Sequence, residues 1–169
     1  WINLNILAID DFEDIRIDKV QPFSGAWPPA EGEILLERSA TRMWTMPELS
    51  IGEMLTIQTA SGDEAALKLA GIAYEFNRTP SAGTGIVYAF VTLDTLERLN
   101  EPVSMNDLRI VLAQNKSDEE YIHQVADQVK EKVEKSGRTV GVISVPEPGQ
   151  HPLGKILDAL IIILGALSA

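Results

Sequence analysis

The side chains that carry most protein chemistry are scarce in this chain. Of its 169 residues only two are histidine, His123 and His151, and none is cysteine. Without thiols there is no disulfide, no thiolate nucleophile and no zinc site of the cysteine type. The two histidines are far apart and do not form the HExxH spacing of a zinc hydrolase. His123 flanks the apolar stripe of a helical stretch, which reads as a solvated surface histidine. His151 precedes Pro152 and reads as a loop or interface residue. The acidic run Asp10, Asp11, Glu13, Asp14 is the one plausible cation site, but it lacks the ligand spacing of a calcium loop. A solvated turn is the expectation there, with no metal. The 25 acids supply many carboxylate pairs. None is set apart by context, and no aromatic cluster suggests a sugar platform.

Other nucleophile and nucleotide signatures are missing too. There is no GxSxG elbow and no GxxxxGK[ST] loop. Gly83-Thr-Gly85 has two glycines of a dinucleotide loop but neither the third nor a long helix after it, so it reads as a plain loop. The expectation is no catalytic residue, no cofactor site and no metal site: the chain is not an enzyme. A net charge of -11 argues against nucleic acid, whose phosphates would be repelled, and against a basic patch lying on an anionic leaflet. Asn77-Arg-Thr79 and Asn115-Lys-Ser117 match the N-glycosylation acceptor pattern, which is short enough to recur by chance. Trp27, in Gly25-Ala-Trp-Pro-Pro29, reads as packing on the adjoining strand, with a partner contact as the alternative. Trp44 and Met46 read the same way.

These residues need elements to hold them. Composition is that of ordinary globular material, 45% hydrophobic and 23% charged. Alternation of apolar and polar residues predicts strands at 2–9, 15–20 and 53–59, and 33–37, 66–73 and 86–91 also read as strands. Residues 22–32 and 79–85 read as loops, and Ser61-Gly-Asp63 as a hairpin turn. Residues 39–44 suggest one or two helical turns capped by Ser39. Residues 92–99 read as a short helix, with Asp94 and Glu97 at capping-box spacing. Further on, 107–112 and 139–145 read as strands around a helix at 117–136. That helix opens on a Ser117/Glu120 capping box, carries the stripe Ile122, Val125, Ala126, Val129, Val133, and ends at Gly137. Strand, helix, strand predicts a βαβ or αβ unit.

The chain then turns apolar. From Ala159 to Ala169 no residue is charged and apolar groups cover every side of a helix. Such a stretch is too short to span a bilayer, which needs about 20 residues. It is either a buried terminal helix or the first part of a membrane span. The strand pattern that opens at Trp1 favours the span, and the chain reads as a piece of a larger membrane protein.

Several stretches resemble one family in order. Gly25-Ala-Trp-Pro-Pro29 followed by Gly32-Glu-Ile-Leu-Leu-Glu-Arg-Ser-Ala40 resembles a segment of the FtsX/MacB-like permeases. Leu49-Ser-Ile-Gly-Glu-Met-Leu-Thr-Ile57 and Leu67-Lys-Leu-Ala-Gly-Ile-Ala73 are similar to the two strands that follow it there. Glu53 stands where that family has Asp, which keeps the charge. Tyr88-Ala-Phe-Val-Thr-Leu-Asp-Thr-Leu96 resembles the segment before the next lobe, and His151-Pro152 the point of return to the membrane.

The resemblance implies the extracytoplasmic domain of an ABC transporter permease at the bacterial inner membrane. An ATPase subunit would act from the cytoplasmic side, with a possible extracytoplasmic protein partner. It implies an α+β fold of two lobes: a βαβ-containing porter-like lobe (1–20 and 101–152) and a β-rich sabre-like lobe (21–100). Residues 1–20 would lie beside the C-terminal strands, and 153–169 would begin a transmembrane helix. The alternative is a free-standing soluble binding module whose apolar tail packs on itself or a neighbour. A hydrolase using two of the carboxylates is a third reading.

Overall fold

The computed structural model describes residues 1–43, 45–76, 78–145 and 161. The chain divides into two compact units, Trp1–Leu108 and Arg109–Ala169. The first is built on six strands: β1 (Leu4–Ile9), β2 (Val20–Gly25), β3 (Glu33–Glu37), β4 (Met54–Gln58), β5 (Glu64–Glu75) and β6 (Val87–Thr92). They form one mixed sheet in the order β1-β6-β3-β5-β2, with β4 also on β5. β1 runs parallel to β6, and β3 parallel to β5. The remaining pairs are antiparallel. Short helices α1 (Ser81–Thr84) and α2 (Leu93–Arg98) belong to this unit, and α3 (Glu119–Lys135) to the second. The protein is thus mixed α and β, compatible with the α+β class.

The central strands are covered on both faces. Ile34 and Leu36 of β3 pack with Val87, Ala89 and Val91 of β6 on one side. Leu35 and Phe90 point to the other side, where Phe12 and Val20 join them. Double burial is why both strands read as continuous apolar runs rather than alternating ones. Each fully buried Leu, Ile or Phe contributes roughly 1.5–3 kcal/mol relative to exposure.

β5 is long because one of its edges takes two partners in succession. Residues 64–68 pair with β4 and 71–75 with β2, while β3 occupies the opposite edge. Where the partners change over, the backbones touch. A Cβ on Gly71 would lie 2.4 Å from the Ser24 carbonyl oxygen, and one on Gly25 2.4 Å from that of Ala70. Gly25 also adopts φ +89, which side chains resist. The Ala26 N–H donates to the Ala70 carbonyl at 2.9 Å and seals the crossing.

α2 is held at both ends of its first turn. Thr92 caps it, accepting from the Thr95 N–H at 3.2 Å. The hydroxyl of Thr95, fully buried, accepts from the Gly32 N–H at 3.0 Å and so ties the helix to the turn before β3. The expected Asp94/Glu97 box does not form the cap. A threonine one residue outside the helix wins because its oxygen reaches the first free N–H groups.

Several other expectations are corrected. Residues 15–20 are not a strand. Asp18 sits at φ +50 and breaks the extended run, so only Val20 of that stretch is in a strand: it opens β2, which runs on into the stretch expected to be loop. Pro22 and Gly25 disguise it, and the register shifts between Pro22 and Ser24. The turns after β3 form a 3-10 helix, Arg38–Arg42, capped by Glu37 rather than Ser39. The loop at 79–85 contains α1. β1 pairs with β6 instead of lying beside C-terminal strands.

In the second unit α3 is present, but its cap is Asp118, whose carboxylate accepts from the Tyr121 N–H at 3.0 Å. Gly137 closes it at φ +86. The stripe of Ile122, Val125, Ala126, Val129 and Val133 is half-buried, and α3 contains no buried residue. Neither 107–112 nor 139–145 is a strand, so the βαβ unit is absent from the described residues. Apolar alternation predicts an extended chain with one apolar face, but a ladder needs a partner strand that the period cannot name. Among the described residues no helix is long and apolar enough to cross a membrane. The expected span at 153–169 lies outside the described residues, Ile161 apart.

Candidate functional site

The residues singled out for chemistry do not come together. His123 stands exposed on α3, 4.0 Å from the Glu119 carboxylate, an i,i+4 neighbour. His151 lies outside the described residues. In the acidic turn Asp11 accepts from the Glu13 N–H at 2.8 Å, and Asp14 accepts three hydrogen bonds from Arg16. Those bonds from Arg16 keep the Asp14 carboxyl below its ordinary range. Among the described residues no three acids or histidines converge as cation ligands. Gly83 lies inside α1, and Gly85 ends it as a left-handed cap. Asn115 is exposed at φ +51, whereas Asn77 and Trp44 lie outside the described residues. Trp27 is half-buried against Phe12, edge to face at 5.1 Å, which is the packing role expected of it. Met46 packs against the larger core cluster.

Two buried polar groups were not foreseen. Glu37, 5% exposed, accepts from both the backbone N–H and the hydroxyl of Ser39. Ser39 in turn accepts from the N–H of Ser81 at 2.8 Å. A serine beside a carboxylate suggests a nucleophile, but among the described residues no imidazole or amine is bonded to either hydroxyl. The trio instead fastens α1 to the end of β3. The second group is Glu75, also 5% exposed, paired with Arg78 at 2.5 Å. The Arg78 guanidinium lies 4.3 Å from the centre of the Tyr88 ring. A nearly buried pair of this kind is fully satisfied and lends itself to holding a loop rather than to turnover.

A third arrangement faces outward. Arg38 directly follows β3, and β3 aligns Glu37 with Ala73 of β5, so Arg38 falls next to Tyr74. On the other side of β5, Gln21 of β2 pairs with Tyr74. Phe23 sits in the irregularity between Pro22 and Ser24, where a bulge re-aims a side chain. The result is a guanidinium over two rings, 4.4 Å from the centre of Tyr74 and 5.4 Å from that of Phe23. Phe76 extends the row, edge to face with Tyr74 at 6.4 Å. Phe23 is 59% exposed and Phe76 67%. Tyr74 and Phe76 also form one wall of a groove of about 470 Å³ whose other wall is Arg16, Asp18, Lys19 and Gln21.

No local pattern marks this surface in the sequence, because its members come from three strands and are joined only by register. Exposed aromatic side chains beside cations are suited to holding a partner, since the rings offer apolar area and the cations offer direction. No family model matches the chain, and neither a curated protein nor a solved structure matches it.

Proposed function

We propose that this chain is the extracytoplasmic domain of an ABC transporter permease of the FtsX/MacB kind. In this reading flanking transmembrane helices fix it at the outer face of the bacterial inner membrane, and 153–169 begins one of them. An ATPase subunit on the cytoplasmic side supplies the motion. The domain passes that motion on, or handles a substrate or protein partner outside the membrane, and catalyses no reaction. The finer architecture belongs to the same proposal: a sabre-like lobe of 21–100 and a porter-like lobe of 1–20 and 101–152.

The observation that carries the reading is the ordered run of family-like motifs, supported by where they fall. Gly25-Ala-Trp-Pro-Pro29 forms the bend that leaves β2 and packs Trp27 on the core. The next three motifs run through β3, β4 and β5 of a single sheet. Gly25 and Gly71, both within the motifs, meet at a backbone crossing that excludes a side chain. A ligand moves such a domain only by binding its states differently, so in this reading coupling to the flanking helices runs through the two chain ends.

The chain has no cysteine, so a single introduced thiol reports its location cleanly. Ser61→Cys, at the exposed tip of the β4–β5 hairpin, is expected to react with a membrane-impermeant maleimide in intact spheroplasts. Labelling only after lysis would reject the outer location. In the membrane-embedded transporter a flexible Gly/Ser insert after Gln150 is expected to uncouple ATP hydrolysis from transport, and fully coupled activity with that insert would reject the mechanism.

A further inference from the structure

The guanidinium of Arg38 is oriented without being neutralised. Two aromatic rings hold its plane, and among the described residues no carboxylate or carbonyl accepts a hydrogen bond from it. The neighbouring Arg16 is instead bound by Asp14. A guanidinium carries five N–H donors in a planar fork matched to a carboxylate, and stacking fixes that fork before a ligand arrives. Pre-ordering removes part of the entropy cost of binding. The groove beside Tyr74 and Phe76 adds Asp18 on the negative side and Arg16 and Lys19 on the positive, with Asp14 bound to Arg16. The patch therefore carries a small positive balance on a chain of net charge -11.

We propose that this face binds an acidic segment of a partner protein, with one carboxylate on the Arg38 fork and an adjacent apolar or aromatic side chain on Phe23, Tyr74 and Phe76. Four physical considerations select this occupant. The rings are too exposed to enclose a small molecule, which a dedicated site buries by some 70–90%. A bare phosphate would leave the aromatic area unused. An anionic bilayer needs many basic residues at about 1 kcal/mol each, and this face offers only Arg16, Lys19 and Arg38. Strand addition at the β2 edge is blocked, because Pro22 lacks a donor and the bulge distorts the edge. Recognition thus falls to side chains on the face. The assignment rests on this surface alone and holds whether or not the chain serves a permease.

The test is titration of the purified chain, labelled with nitrogen-15, with a blocked peptide of sequence Gly-Ser-Leu-Glu-Phe-Asp-Gly-Ser. The expected result is saturable movement of the Arg38 Nε–H resonance, with affinity falling as salt rises. Affinity should drop at least tenfold in Phe23→Ser, an exposed substitution that leaves the core alone, and in Arg38→Gln. Arg38→Lys should recover only part of the loss, because it keeps the charge without the fork. A peptide with Gln and Asn in place of its acids should not bind, nor should one with Ser in place of Leu and Phe. No Arg38 shift at millimolar peptide overturns the proposal. So does equal binding of the neutral peptide, of inorganic phosphate, or of phosphatidylglycerol vesicles.

Discussion

Replacing Gly71 by alanine isolates the crossing between β2 and β5. The backbone of Gly71 is outside the left-handed region, so alanine meets no conformational penalty there. Its Cβ would nevertheless lie 2.4 Å from the Ser24 carbonyl oxygen, 3.2 Å from the Ala26 carbonyl oxygen and 3.2 Å from the Gly25 Cα. All three are backbone atoms and none can rotate aside. Ordinary contact starts near 3.4 Å, so β2 must withdraw by about 1 Å. Overpacking of this kind costs about 1–3 kcal/mol. The same withdrawal weakens the Ala26–Ala70 hydrogen bond, now 2.9 Å, for about 1 kcal/mol more. Lower entropy of the unfolded chain returns about 0.4–1 kcal/mol. The expected net loss is about 2–3 kcal/mol. Gly83→Ala is the matched control, since nothing lies within 4 Å of its Cβ and it sits inside α1. It should be neutral or slightly stabilising. Urea unfolding followed by circular dichroism gives both values, and amide exchange at Ala26 reports the crossing itself. If Gly71→Ala and Gly83→Ala proved equally stable, with Ala26 protected as before, the steric argument would fail.

Thr95→Val keeps shape but removes the acceptor for the Gly32 N–H in a fully buried setting, so a loss of about 1–3 kcal/mol in urea is expected; a neutral result would mean that N–H finds another partner. Glu33 is held below its ordinary 4.5 first by the Lys68 ammonium and then by the Ala30 N–H, so its contribution is present above that value and lost as pH falls through the lowered one. The stability gap between wild type and Glu33→Gln is accordingly about 0.5–1 kcal/mol at neutral pH and should vanish in acid, Lys68 being half exposed; a gap independent of pH contradicts this. Val129→Asp places a charge on a half-buried stripe rather than in a core, so about 1–2 kcal/mol should be lost from the helical signal of the second unit; no change would show that the stripe packs on nothing.

Some of this was legible in the sequence because its cause is local. The short strands at 33–37 and 86–91 were read where β3 and β6 lie, and Ser61-Gly62-Asp63 marked the tight turn between β4 and β5 that Gly62 makes at φ +94. The periodic stripe marked α3, and Gly137 its end. The scarcity of histidine and the lack of cysteine narrowed the chemistry before any fold was known. Other features depended on tertiary pairing. Residues 107–112 and 139–145 have a strand's alternation without a ladder, because alternation describes one strand and pairing needs two. β2 was hidden by its own proline and glycine, which are tolerated at a bulged edge. Gly71 looked like any strand glycine until Ser24 was brought against it across the sheet. Arg38, Phe23 and Tyr74 became one surface only through the registers of β3, β5 and β2, a long-range fact that no spacing along the chain encodes.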